Sequence, residues 1–200
     1  MLWTTENVWV SRSYKGGGII IKDTLVVNLI GGSGCGKSTN ASRLFVWLKD
    51  KGIECEVSEE WVKKSVWEGR TSIFNCQPYI FGKELWKIQR EIGKVDVIIT
   101  DRPICLDTVY DPEQDENFKK YSLKKFNEFN NLNILLNRVK PFSSNGRNEK
   151  NVEEAIAVDN KIKKMLDDNN IKYTVVDGNE EGCRQVLKMI LDRLNNKEGE

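Results

Sequence analysis

Residues 31–39 read GGSGCGKST, and residues 24–30, which lead into them, read TLVVNLI. The nonapeptide fits G-x-x-x-x-G-K-[ST] with Gly31, Gly36, Lys37 and Ser38 in register. An apolar, strand-like run enters it and a helix-like run, 38–49, leaves it. The glycines let the backbone approach a ligand closely, so that successive N–H groups converge on an anion, and the helix adds the positive end of its dipole. A glycine-rich turn with a chance Lys-Ser would not need a strand before it and a helix after it. The spacing therefore predicts a nucleoside triphosphate site made by Gly31, Gly32, Ser33, Gly34, Cys35, Gly36, Lys37, Ser38 and Thr39. Lys37 is expected on the β- and γ-phosphates and the Ser38 hydroxyl on Mg2+.

Composition bounds what such a site can do. At 200 residues the chain is about one domain, large enough to bury a core without disulfides or metals. The 31 basic residues nearly cancel the 30 acidic ones, so no overall field recruits nucleic acid or a membrane. Five scattered cysteines, odd in number and never in C-x-x-C pairs, argue against a disulfide framework or a zinc site and for a reducing cytoplasm. There is no apolar run long enough to span a bilayer, and residues 1–23 lack the apolar core of a signal peptide. The chain has no histidine, so mechanisms built on histidine are excluded and any general base is a carboxylate or a less common group.

Two segments are expected, an extension over 1–23 and a nucleotide-binding domain over 24–196. The extension alternates around Val8, Val10, Arg12 and Tyr14, then turns near 15–18, which suits a small hairpin, a loose tail or an oligomer contact equally. Beyond the first strand the pattern predicts strands at 53–57, 95–100, 132–136 and 172–176. Helices are expected over 60–67, 79–92 and 121–129, then around Val152, Ile156, Ile162 and Leu166, and last around Val186, Leu187, Ile190, Leu191 and Leu194. Strands alternating with helices predict an α/β fold with a mostly parallel sheet, whose ligands bind beyond the carboxyl ends of the strands.

That edge gathers the chemistry. Asp101 ends the third strand, where a carboxylate holds the Mg2+ water shell or orients an acceptor hydroxyl; as a bland alternative it is a solvated turn residue before Pro103. Glu59 and Glu60 end the second strand, as a base, a substrate ligand or simple helix N-terminal acids. Arg138 and Arg147 lie in a long polar loop, 137–150, from which guanidinium groups reach a transferring phosphoryl group; the bland reading is a solvated basic loop. Trp61, Trp67, Phe74, Tyr79, Phe81 and Trp86 are taken mainly as core, with some available to stack on a ring.

These pieces resemble the P-loop small-molecule kinases, and most closely phage-type nucleotide or nucleoside kinases related to the nicotinamide riboside kinase domain of bifunctional NAD-regulating proteins. The resemblance runs over about 25–176 and rests on NLIGGSGCGKST, EEWVKKSVWEGR, GKVDVIITDRPICLDTVY and RVKPFSSNGRNE, the last followed by a helix containing Asp159 that looks like that group's lid. It implies a three-layer P-loop fold with strand order 2-3-1-4-5 and a lid loop, Mg-ATP as donor, and Arg138 and Arg147 as lid arginines. It also implies Glu60 and Lys63 on the helix that receives the acceptor. The chain departs from the group in its extension and in Arg102, where a small residue is expected. The resulting expectation is transfer of the γ-phosphoryl group to a nucleoside or nucleotide. Lys37, Asp101, Arg138 and Arg147 are its catalytic residues, Ser38 and Asp101 its metal ligands, and Glu60, Lys63, Arg90 and Arg102 its acceptor contacts. Asp101 or Glu60 is the base for a hydroxyl acceptor, whereas a monophosphate acceptor gives Lys63 or Arg90 more weight. The alternatives are an ATPase or nucleotide-binding switch module, or a polynucleotide kinase. An ABC-type ATPase would need an LSGGQ-like signature and a Ras-like GTPase an N-K-x-D motif; the chain has neither, whereas dephospho-CoA and adenylate kinases share the expected architecture.

Overall fold

The computed structural model describes residues 14–15, 18–19, 23–59, 61–139, 141 and 151–196, and only the backbone of 14–15, 18–19, 63 and 71. Five strands form one parallel sheet: β1 Leu25–Ile30, β2 Cys55–Ser58, β3 Val97–Thr100, β4 Asn130–Asn137 and β5 Thr174–Asp177. Their order is 2-3-1-4-5, as the family resemblance implies, and every neighbouring pair is parallel, in line with the mostly parallel sheet expected from the alternation of strands and helices. The continuous apolar character of β1 follows from its central place, since all six of its residues are buried.

Period-two alternation splits the core into two layers. Leu25, Val27 and Leu29 point to the face covered by α1 (Lys37–Asp50) and α7 (Glu180–Asn195), where they meet Leu44, Leu48, Val186 and Ile190. Val26 and Ile30 point to the face covered by α3 (Gln77–Gln89), α5 (Glu116–Asn127) and α6 (Val152–Asp168), with Phe81, Ile88, Phe126, Ile162 and Leu166. The short helices α2 (Val62–Trp67) and α4 (Asp107–Tyr110) sit after β2 and β3.

Three elements differ from expectation for identifiable reasons. Strand β4 starts two residues before the apolar run, because Asn28, fully buried in β1, donates to the side-chain oxygens of Asn131 and Asn133 at 2.8 Å each. Those asparagines in turn donate to the Phe126 and Lys172 carbonyls at 2.6 and 2.9 Å, so polar residues extend the strand by pairing with one another. Helix α5 begins at Glu116 rather than 121, since Asp115 caps it by accepting from the Asn117 and Phe118 N–H groups. Helix α3 begins at Gln77 rather than 79, after a 3-10 turn over Thr71–Asn75, with Pro78 in its first turn, and ends three residues before 92. In the extension, for which a hairpin is one of three equal readings, the described residues contain one antiparallel ladder, Tyr14–Lys15 with Gly18–Ile19. No helix among the described residues is long and apolar enough to cross a membrane.

Candidate functional site

The carboxyl ends of the strands bring the phosphate loop, Ser58, Asp101, Arg138 and Gly178 to one edge of the sheet. Between β1 and α1 the loop turns at Gly31, Gly34 and Gly36, whose φ angles of 148°, 83° and 95° lie in the region L side chains rarely adopt. Gly36 caps α1 in this left-handed conformation, and its carbonyl accepts the Asn40 backbone N–H at 2.9 Å. Lys37 arches back over the loop, donating from Nζ to the carbonyls of Gly31 at 2.7 Å and Gly32 at 2.8 Å. Cys35 packs beneath the loop, and burial pushes its thiol up to about 11 against the pull of Lys37, with Asp159 adding to the rise. It is therefore a packing group and not a nucleophile at neutral pH.

Ser38 in the first turn of α1 donates to Asp101 Oδ2 at 2.7 Å, joining the two residues that the sequence assigns to the metal. Asp101 is buried at the end of β3, which is inconsistent with a solvated turn residue. Arg138, just past β4, lies against the loop. Its Nη1 donates to the Ser33 carbonyl at 2.6 Å, and its Nε and Nη2 donate to Asp159 Oδ2 at 3.0 and 2.8 Å. Of the other expected site residues, Glu60 and Arg147 lie outside the described residues, and of Lys63 only the backbone, within α2, is described. Most of the expected lid loop, 142–150, is likewise outside them.

Arg102 turns away from the loop. Its Nη2 donates to Asp107 Oδ1 at 2.9 Å, the same oxygen that accepts from Gln77 Nε2 at 2.6 Å, and its guanidinium lies 5.3 Å from the centre of the Tyr110 ring. Glu84, fully buried on α3, completes this cluster. Burial pushes its carboxyl up to about 7, opposed first by Lys87 and then by Arg102. Lys87 Nζ lies 3.3 Å from Glu84 Oε2 and donates to the Glu59 carbonyl at 2.5 Å, tying α3 to the end of β2. Beside it, Trp61 and Tyr79 meet edge to face at 5.8 Å, with Lys83 Nζ 4.1 Å from the Trp61 ring centre. Phe81 is core, as expected, whereas Trp67 and Trp86 stand on the surface at 62% and 65% exposure, since α2 and α3 turn those positions outward. Arg90 follows the end of α3 half-exposed, and its ion pair is with Glu91 at 3.0 Å rather than with a residue of this cluster.

Gln77, Glu84, Lys87 and Asp107 escape a reading of motifs, yet α3 carries a signal for two of them. Its buried stripe is Gln77, Ile80, Phe81, Glu84, Leu85 and Ile88, a helical repeat in which two positions are polar. Polar residues at core positions of an amphipathic helix are rare unless paired, and here each is.

Comparisons with known proteins place this arrangement. Among solved structures, a NadR protein in complex with NR is similar at a TM-score of 0.63 and 15% identity, over 83% of this chain and 51% of that one, so the chain spans about half its length. Deoxyadenosine kinase from M. mycoides, with products dCMP and a flexible dCDP bound, is similar at 0.49 and 19% identity, over 86% of this chain and 99% of that one. The structure of APE1195 gives 0.45 and 23% identity, over 86% and 98%. At these identities the NadR likeness concerns the fold. No curated protein matches the chain. Residues 26–182 match the family described as "AAA domain", from the strand before the phosphate loop to the first turn of α7. A match over more than half of the chain, taking in a loop already seen to have the backbone of a phosphate site, shows that this protein belongs to the AAA domain family.

Proposed function

We propose that the protein is a phosphotransferase that moves the γ-phosphoryl group of Mg-ATP to a small nucleoside or nucleotide. The observation that carries this reading is the dipeptide Asp101-Arg102, which joins two clusters: Asp101 is bonded to Ser38 at the phosphate loop, and Arg102 to Asp107 and, through it, Gln77. A donor site and an acceptor site meeting at one strand end is what direct transfer between two bound molecules requires. The acceptor cluster sets one amide, the Asp107 and Glu84 carboxyl groups, the latter pushed up to about 7 by burial, a guanidinium and an ammonium side by side. Such a set presents donors and acceptors to the polar edge of a base or sugar better than it attracts a free phosphate.

In this reading Lys37 and the loop N–H groups hold the β- and γ-phosphates, and Arg138 with Arg147 offsets charge on the group in flight. Ser38 and Asp101 converge two oxygen ligands 2.7 Å apart, a donor set that suits Mg2+, with the remaining ligands coming from water and phosphate. The ion supplies neutralisation of phosphate charge. Because Asp101 is engaged by Ser38, the base for a hydroxyl acceptor falls to the carboxylates after β2, Glu59 or Glu60; Lys63 and Arg102 serve as acceptor contacts. Kinship with phage-type members and a reducing, cytoplasmic setting belong to the same proposal, the latter supported by Cys35, Cys55, Cys105 and Cys183 being buried as free thiols.

The test is ADP release from Mg-ATP against a panel of nucleosides, deoxynucleosides, nicotinamide riboside and their monophosphates, with mass spectrometry of the products. One class is expected to stimulate release and to gain a phosphoryl group, and Lys37→Ala is expected to cut turnover at least about 100-fold without loss of fold. Turnover near wild type in that variant, or ATP binding with no acceptor in the panel stimulating release, would sink the proposal in favour of a switch module or a polynucleotide end.

A further inference from the structure

One carboxylate outside the phosphate loop reaches into it. Asp159 projects from α6, and its two oxygens do different work: Oδ1 accepts the Gly32 backbone N–H at 2.7 Å, while Oδ2 accepts from both Nε and Nη2 of Arg138. Cys35 Sγ lies 3.4 Å from Oδ1. The pair is no ordinary surface salt bridge, since the Arg138 side chain is 11% exposed and that of Asp159 27%. Position 32 of the loop pattern accepts any residue, yet a Cβ there would strike Asp159 Oδ1 and lie 3.3 Å from Arg138 Nη2. Glycine at 32 is thus what lets the carboxylate reach the main chain.

A guanidinium has five N–H donors in a rigid fork. In Arg138 the Nε–H and one Nη2–H go to Asp159, and one Nη1–H goes to the Ser33 carbonyl, which leaves one N–H on each of Nη1 and Nη2. We propose that Asp159 is a positioning residue: by clamping Arg138 to the loop through Gly32 and Ser33, it aims those two N–H groups at the terminal phosphate of a bound nucleoside triphosphate. The role of Asp159 is to orient Arg138 and not to touch the ligand. Without it a long, rotatable side chain would have to be ordered anew on each binding event. This inference rests on the reading of the loop as a triphosphate site.

The experiment is calorimetric titration of the full chain with Mg–AMP-PNP and with Mg–ADP, which differ at the terminal phosphate, together with the melting temperature of each variant. The wild type is expected to prefer AMP-PNP. Asp159→Asn and Arg138→Ala should each reduce that preference by about tenfold, the order of a hydrogen bond to a charged group. The double variant should lose no more than the larger single effect, and Asp159→Glu should recover part of it. A wild-type preference in Asp159→Asn, or additive losses in the double variant, overturns the proposal. So does equal weakening of both nucleotides with a lowered melting temperature, the mark of a merely structural residue. Failure of the wild type to bind either nucleotide would overturn the triphosphate reading itself, and that is seen before any variant is made.

Discussion

Gly178, at the end of β5, shows how little room surrounds the phosphate loop. Its N–H donates to the Asn137 carbonyl at 3.0 Å, and a Cβ on it would fall on the Cys35 carbonyl oxygen, itself part of the loop. A Cβ on Gly36 would likewise meet the Gly178 carbonyl. Backbone thus lies on backbone, which only glycine permits, and β5 props the loop from below. Gly178→Ala is therefore expected to destabilise the protein by about 3 kcal/mol or more, because the obstacle is main chain and cannot rotate aside. Urea denaturation gives the loss directly; a midpoint like that of wild type would show that the loop has slack.

At the scale of an element, α3 is a helix with a compromised core face. Gln77 and Glu84 occupy its buried stripe, where apolar residues would contribute more to stability. Burial holds the Glu84 carboxyl at about 7 in the folded protein against 4.5 for the ordinary group. Below pH 4.5 the group carries its proton in both states and there is no penalty. Between 4.5 and 7 the unfolded chain releases the proton while the folded one keeps it, so stability falls as pH rises, and above 7 the penalty is complete. A shift of this size corresponds to about 3 kcal/mol. Glu84→Gln removes the titration, so the stability difference between variant and wild type should move in the variant's favour by about that amount from pH 4.5 to 7 and then level off. Chemical denaturation across that range reads it, and a difference that stays flat with pH would show that Glu84 keeps its charge throughout. That the fold retains such a residue beside Arg102 and Asp107 agrees with a face of α3 serving the acceptor site as well as the core.

At the scale of the whole molecule, the phosphate loop and α1 are continuous with the central strand, and both core layers converge on β1. Ligand held at the loop is thereby coupled to global unfolding. Mg–AMP-PNP at 100 times its dissociation constant should stabilise the protein by about 2.7 kcal/mol, a rise of about 5 to 11 °C in melting temperature for a chain of this size. Thermal scanning should show the shift in wild type and lose it in Lys37→Ala. A saturating nucleotide that leaves the melting temperature unmoved would mean that it binds elsewhere or binds the unfolded chain equally.

The amino-acid sequence by itself determined the phosphate loop, the alternation of strands and helices, and the sheet edge at which Ser38, Asp101 and Arg138 gather, because each of these is written locally, in a run of glycines or an apolar period. It did not reveal the extent of β4, since Asn130 and Asn131 precede the apolar run and Asn131 is drawn into the strand by Asn28 of the neighbouring strand. Nor did it reveal the cluster of Gln77, Glu84, Arg102 and Asp107, or the hold of Asp159 on Gly32 and Arg138. These belong to the tertiary structure alone, for a physical reason: a buried polar group is tolerable only with its partner, and apart from Arg102 and Asp107, which are five positions apart, Gln77 with Asp107, Arg138 with Asp159 and Asp159 with Gly32 meet across 21 to 127 positions of chain.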